Sequence, residues 1–303
     1  MTSARIANAG SGPEVPISWP EPPTAPDGLK MDLGAEYRSK KHNFMGIGLS
    51  AMTDDQFVEA VRQAVATRSR LAVSFINPDY VIRGNKHGIV EKMNRFDIVL
   101  PDGWGIVYGS RLLGIPMPNR QGNGDICPKI FEMSDKQGYS NFLFGCSPGT
   151  PEKAAANVVE RWSTAKIAGT LHGHWDMLSN TPGKFTKEDM DMMVDTINKS
   201  GADIVHVSLP TPMQQNWVWE VAERLNVPVF ITGGSYLDHL GEAVDWYPNW
   251  MHTMRLCWLY RFTREPKRLW KRYSVDLAAY GAMVVREKIA PRKRGPVAAT
   301  PAG

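Results

Sequence analysis

Six short apolar runs, each closing near a turn-forming residue and separated by segments of helical period, restrict this chain more than any other feature. They are Leu71–Ile76, Asp97–Leu100, Asn141–Gly145, Lys166–Leu171, Asp203–Leu209 and Val227–Thr232. Most are apolar on consecutive positions rather than alternating ones, the pattern of strands buried on both faces. The intervening segments carry helix starts. Thr53 and Gln56 form a capping box ahead of Phe57, Val61, Ala64 and Val65, which share one helical face. Thr150, Pro151 and Glu152 read as N-cap, first-turn proline and dipole-favoured acid, and Thr186 with the acids after it starts a further helix. Strand and helix in this repeated order predict an α/β fold, a Rossmann-like, mostly parallel sheet with helices on both faces. In such a sheet, ligands sit beyond the carboxyl ends of the strands, so the residues just after each run are the candidates for function.

The 303 residues divide by character into a Pro/Gly/Ala/Ser-rich leader expected to be disordered (1–42), an α/β core (43–245), a basic, aromatic, helical appendage (246–290) and a disordered tail (291–303). With 43% hydrophobic and 22% charged residues, collagen, coiled coil and disorder throughout are excluded. Three cysteines without metal-type spacing imply neither a disulfide framework nor a zinc site, and a reducing cytoplasm is expected. The leader has no apolar segment of signal-peptide type. The longest apolar stretch, Leu277–Val285, is too short to span a bilayer. Lys and Arg exceed Asp and Glu by only four, 35 against 31. That excess lies at one end, where Trp250, Trp258, Tyr260, Phe262, Trp270 and Tyr273 interleave with Arg255, Arg261, Arg264, Lys267, Arg268, Lys271 and Arg272. Such a segment suits an ordinary helical cap or a headgroup layer; a nucleic-acid surface is disfavoured because no recognition module accompanies it.

Among the post-strand residues, Asp102 stands between Pro101 and Gly103, directly after a run and before a helix. A general base is presented to a ligand from such a position, and so is a helix N-cap. Arg120 is placed to clamp a phosphate, and Asp125 either joins it or caps the helix through Ile130. Gln214 and Gln215 follow two prolines; paired amides read a base, ribose or sugar hydroxyl, or simply open a helix. Gly233 and Gly234, like the Gly145–Gly149 turn, offer backbone amides to phosphate or make a tight turn. No G-x-G-x-x-G or Walker pattern occurs, which disfavours a nucleotide-dependent oxidoreductase. His172, His174 and Asp176 have the composition of a metal cluster without a second cluster to complete it, so a polar pocket wall is preferred. Asp189-Met190-Asp191 falls within a helix-period segment and reads as a solvated face.

In order and spacing these residues resemble the WecG/TagA/CpsF family of bacterial glycosyltransferases over roughly 71–273. The resemblance rests on Asn77-Pro78, Pro101-Asp102-Gly103 with Gly105, Arg120 with Asp125, the Gly145–Gly149 turn, Ala202-Asp203-Ile204, Pro212 with Gln214, Gly233-Gly234 with Asp238 and Gly241, and Pro248 with Trp250. It ends on Trp258-Leu259-Tyr260-Arg261, Glu265-Pro266, Arg268, Arg272 and Tyr273. It implies a metal-independent, cofactor-free enzyme at the cytoplasmic face of the cell membrane. Such an enzyme moves a sugar from a nucleotide-sugar, usually a UDP-sugar, to a polyprenyl-diphosphate-linked glycan in exopolysaccharide or surface-glycan assembly. By the same resemblance Asp102 is the expected base, Asn77 and Gln214 are pocket residues, and Arg261 and Arg268 hold diphosphate. Phe75, Met213, Gln215, Trp246 and Cys257 depart from the family pattern, which leaves donor and acceptor open more than reaction class. The rival from another class is a non-catalytic nucleotide-sugar binder at the membrane surface. Homo-oligomerisation is left open, and no nucleic-acid partner is expected.

Overall fold

The computed structural model describes residues 33–83, 89–173, 185–244, 251, 254, 256–264 and 266–291; for Arg83, Cys257, Arg268, Arg272 and Tyr273 the backbone alone is described. All six apolar runs become strands of one sheet. After helix α1 (Leu33–Ser39) and a small antiparallel hairpin of β1 (His42–Phe44) and β2 (Ile47–Leu49), the chain runs through α2 (Asp54–Thr67) into β3 (Leu71–Ile76). Helices α3 (Pro78–Arg83) and α4 (Ile89–Arg95) lead to β4 (Ile98–Pro101). Helices α5 (Trp104–Leu112) and α6 (Asn123–Gln137) precede β5 (Ser140–Gly145), and α7 (Thr150–Arg161) precedes β6 (Lys166–Leu171). Then come α8 (Lys187–Ser200), β7 (Ile204–Ser208), α9 (Met213–Val221), β8 (Val229–Thr232) and α10 (Tyr236–Glu242). The sheet order is β4-β3-β8-β7-β5-β6, and every pairing is parallel.

The two faces of the sheet explain the continuous apolar runs. Alternate residues of one strand enter different cores: Ala72 and Ile76 of β3 pack with Phe142, Phe144, Val205 and Phe230 against residues of α4, α5, α8 and α9. Leu71, Val73 and Phe75 point the other way, with Leu143, Ile204 and Ile231, against α2, α6, α7 and α10. A strand covered on both sides has little room for polar residues, and those present bond to one another, as Thr232 does to Ser74 and His206 to Asn141. The expected capping boxes form at Thr53–Gln56 and Thr186–Asp189. Asp189 is thereby spent on its helix cap and Asp191 pairs with Lys187 and Arg224, so this D-x-D lies on a solvated helix face.

Two elements differ from the sequence reading. Residues 33–39 of the segment expected to be leader form α1, where Arg38 pairs with Asp97 and Gly34 lies against the Asp97 carboxylate; residues 1–32 lie outside the described residues. The β1–β2 hairpin was not anticipated. Beyond the sheet, α11 (Cys257–Arg264), α12 (Pro266–Lys271), one π turn (Arg272–Asp276) and α13 (Leu277–Ile289) follow, in agreement with the expected helical appendage. Trp246 and Trp250 at its start, and the tail from 292, lie outside the described residues.

Candidate active site

The loops after β3, β4, β7 and β8 meet at the carboxyl edge of the sheet, and their side chains tie them to one another. Asp102 follows β4 directly, with its backbone N–H bonded to the Ile76 carbonyl at 2.7 Å, which sets it level with Asn77 on the neighbouring strand end. Gly103 has φ of +118°, a conformation that an L side chain rarely adopts, and it is Gly103 that precedes α5 as N-cap without a side-chain bond. Asp102 is therefore not a helix cap. Among the described residues nothing donates a hydrogen bond to its half-buried carboxylate.

The Gly122 backbone approaches that carboxylate closely. A Cβ placed on Gly122 would lie 2.6 Å from Asp102 Oδ1, 3.2 Å from Arg120 Nη1 and 3.3 Å from Asp125 Oδ2. Gly122 is thus the shared floor under three of the expected site residues. Arg120 Nη2 pairs with Asp125 Oδ1 at 2.5 Å, and Asp125 Oδ2 accepts from Gly122 N–H at 2.9 Å. Asp125 is the third residue of α6, its carboxylate accepting from the N–H of the N-cap Gly122, and is not itself the N-cap. One acid here is committed to the helix and an arginine; the other, Asp102, is left uncommitted.

Asn77 turns the chain into α3, its Oδ1 accepting from Asp79 N–H at 3.1 Å. From α3 the buried Tyr80 reaches across to the β7 loop. Gln214 and Gln215 donate to its phenol oxygen at 3.4 and 3.2 Å, and the phenol and Thr211 Oγ1 share a hydrogen bond of 2.5 Å. Burial pushes the Tyr80 phenol above its ordinary pKa; the Asp102 charge adds to this, while the three hydrogen bonds oppose it. Gln214 also accepts Gly234 N–H at 2.9 Å, Gly233 N–H bonds the Val207 carbonyl at 2.7 Å, and Asn123 donates to the Gly233 carbonyl at 3.3 Å. Both glycine amides are already engaged, so what this turn offers a ligand is room rather than donors.

Asp102, Arg120 and Asp125 are therefore in one cluster, Asn77 sits beside it, and Gln214, Gly233 and Gly234 join it through Tyr80. Arg261 is half buried on α11, and the side chain of Arg268 is outside the described residues. His174 and Asp176 also lie outside them.

This arrangement can be set beside known proteins. The sequence model of the glycosyl transferase WecG/TagA/CpsF family matches residues 42–294. The chain belongs to the WecG/TagA/CpsF family. This glycosyltransferase is 24% identical over 217 residues to an N-acetylglucosaminyldiphosphoundecaprenol N-acetyl-beta-D-mannosaminyltransferase of Bacillus subtilis, covering 71% of this chain and 79% of that one. It is 22% identical over 266 residues to a protein of the same name from Staphylococcus aureus, covering 87% of this chain and all of the relative. Membership sets aside the oxidoreductase and the non-catalytic binder.

Tyr80, Thr211, Gly122 and Asn123 were missed by sequence reasoning. Gly122 had a signal, a glycine between an arginine and an aspartate that both looked functional. Tyr80 and Thr211 had none, since they are 131 residues apart and only the strand order brings them together.

Proposed function

We propose that this glycosyltransferase moves a sugar from a nucleotide-sugar, a UDP-sugar by expectation, to a polyprenyl-diphosphate-linked saccharide in exopolysaccharide or cell-surface glycan assembly. Asp102 acts as general base. The acceptor hydroxyl loses its proton to the Asp102 carboxylate as its oxygen bonds to the anomeric carbon. The bond from that carbon to the phosphate oxygen breaks, and the nucleotide diphosphate leaves with the electron pair. One base and a direct displacement give inversion. The leaving diphosphate needs positive charge in a metal-independent reaction. Arg120 at the cluster, with Arg261 and Arg268 of the appendage, is assigned to supply it. Asn77 and Gln214 line the pocket.

The observation that carries this reading is the uncommitted Asp102 carboxylate, seated on Gly122 at the end of a parallel strand in a chain of this family. The acceptor class is supported by the relatives, whose names specify an undecaprenol-diphosphate-linked N-acetylglucosamine. The cytoplasmic membrane surface as partner is supported by the distribution of exposed apolar side chains. Trp258, Leu259, Trp270, Val275, Leu277, Val285 and Ile289 of the appendage are exposed, as are Tyr108 and Leu112 of α5. The cations Arg264, Lys267, Lys271, Arg286 and Lys288 are exposed on the same helices. Rings and cations together suit a headgroup layer of anionic lipid. Among the described residues no helix is long and apolar enough to cross a membrane.

The test is incubation of the protein with a panel of UDP-sugars and a short-chain polyprenyl-diphosphate saccharide, read by mass spectrometry. Growth of the glycolipid by one sugar residue is expected. Folded protein that extends no acceptor with any donor of the panel overturns the reading.

A further inference from the structure

We infer that Tyr280, in the last described helix, is a positioning residue for the Asp102 base. This rests on the proposed role of Asp102. The helix that begins two residues after Asp102 carries Gly105 and Gly109, one turn apart on the same face. Tyr280 of α13 fills the groove these glycines leave. Its ring lies 3.6 Å from where a Cβ of Gly105 would stand, and a Cβ on Gly109 would run into its hydroxyl. That hydroxyl donates to the Gly105 carbonyl at 2.8 Å. Burial pushes the phenol pKa well up, so it stays protonated and remains a donor. The Gly105 carbonyl lies in the first turn of α5, so a side-chain donor from another helix pins the segment nearest the base.

The same groove meets the other half of the site. Pro78, next to Asn77, stands 3.0 Å from the Cβ position of Gly105, and Leu277 closes it at 3.8 Å. Three helices thus converge on one glycine: α3 from Asn77, α5 from Asp102, and α13 from the appendage. Tyr280 is buried to 3% although most of its helix is exposed, with Val284 one turn on as its buried companion. A helix attached mainly for lipid contact has no need to send its most buried side chain into the first turn after the base. A side chain at 109 would run into its hydroxyl, one at 105 would press on Pro78, and a smaller residue at 280 would leave α5 and α3 free to shift apart.

The experiment measures transfer with saturating UDP-sugar and short-chain acceptor for wild type, Tyr280→Ala, Tyr280→Phe and Gly109→Ala, each also combined with Asp102→Asn. It adds hydrogen exchange of the peptide spanning 98–112. Tyr280→Ala is expected to lower kcat at least tenfold with donor KM within twofold, and Tyr280→Phe, which keeps the ring in the groove but loses the bond to the Gly105 carbonyl, to give a smaller loss than Tyr280→Ala. With Asn at 102 the further loss from Tyr280→Ala should shrink below twofold, because the helix then has no base to place. Amides 102–107 should exchange at least tenfold faster in Tyr280→Ala. Where Tyr280→Ala fails to fold, Gly109→Ala should show the same kcat loss and the same coupling to Asp102. A kcat within twofold of wild type, an equal loss in both backgrounds, or unchanged exchange overturns the inference. Exchange needs no turnover, so it decides the coupling even where wild type transfers no sugar, an outcome that overturns the proposed function instead.

Discussion

The sheet core and the C-terminal helices treat the same kind of residue in opposite ways. In the core the large apolar side chains are enclosed: Trp217, Phe57, Phe131, Phe142, Phe144 and Phe230 are each buried below 2% exposure. In the helices after residue 256 only Leu269, Tyr280 and Val284 are buried among the described apolar side chains, while Trp258 and Trp270 stand 50% and 58% exposed. A protein domain is stabilised by apolar area removed from water, so the core has a self-contained reason to fold and the appendage does not. The appendage packs on the first turn of α5 on one side and leaves its rings and cations exposed on the other, the side proposed to meet a headgroup layer. The division also separates chemistry from stability, and the first prediction tests that. Asp102→Asn keeps the shape that packs on Gly122 but removes the base. Turnover should fall by about 10² to 10⁴, the usual contribution of a positioned base, with the denaturation midpoint and UDP binding unchanged. Unchanged turnover would remove Asp102 from its role.

Two tryptophan replacements set the regions directly against each other. Trp217 packs on Phe144 with ring centroids 4.5 Å apart and donates to Met193 Sδ at 3.2 Å, wholly inside the core. Trp217→Ala should cost about 3–5 kcal/mol in urea unfolding. Trp258→Ala combined with Trp270→Ala should cost far less, about 1 kcal/mol, since those rings are already half exposed to water. That pair should instead weaken binding to phosphatidylglycerol vesicles, on the order of tenfold for each ring that inserts. Loss of fold without loss of vesicle binding in the double variant would abolish the contrast.

The contrast also marks what was legible in the sequence. Enclosure on both faces writes itself as consecutive apolar residues, which is why β3, β4, β5, β7 and β8 could be read directly; the edge strand β6 is only partly buried and carries Lys166 and Thr170. The β1–β2 hairpin could not, because strands of three residues interrupted by Asn43, Gly46 and Gly48 are shorter than any periodicity needs to show itself. Helix α1 was hidden for a related reason: only Leu33 and Tyr37 pack on the core, and the long-range Arg38–Asp97 pair helps to fix it. In the site, Asp102 was visible because its flanking Pro and Gly set it apart after a strand. Tyr80 and Tyr280 were not, since each acts on a loop or helix more than 130 residues away, and only the folded topology supplies the partner. The Gly105–Gly109 spacing held a faint signal, two small residues on one face of an otherwise apolar helix.

The last prediction sharpens the enclosure of the core through one histidine. His206 on β7 is buried at 1% exposure, stacks on Phe131 with centroids 4.7 Å apart and bonds the Asn141 side chain through Nε2 at 3.0 Å. Removal from water pushes its pKa down from 6.5 to about 3. As pH falls through 6.5 the unfolded chain takes up a proton that the folded chain does not accept until about pH 3, so the unfolded state binds more protons throughout that window. Stability from this group is complete above about pH 6.5 and is lost as pH falls toward 3, with a slope of up to about 1.4 kcal/mol per pH unit. His206→Gln removes the titration, and whatever constant cost the amide carries in that site is the same at every pH. Urea unfolding of the two proteins between pH 7 and pH 4 should therefore show a wild-type stability that falls more steeply than the variant's. Parallel curves would mean that the ring is protonated inside the core, and the enclosure that sets the sheet apart from the C-terminal helices would not hold at its centre.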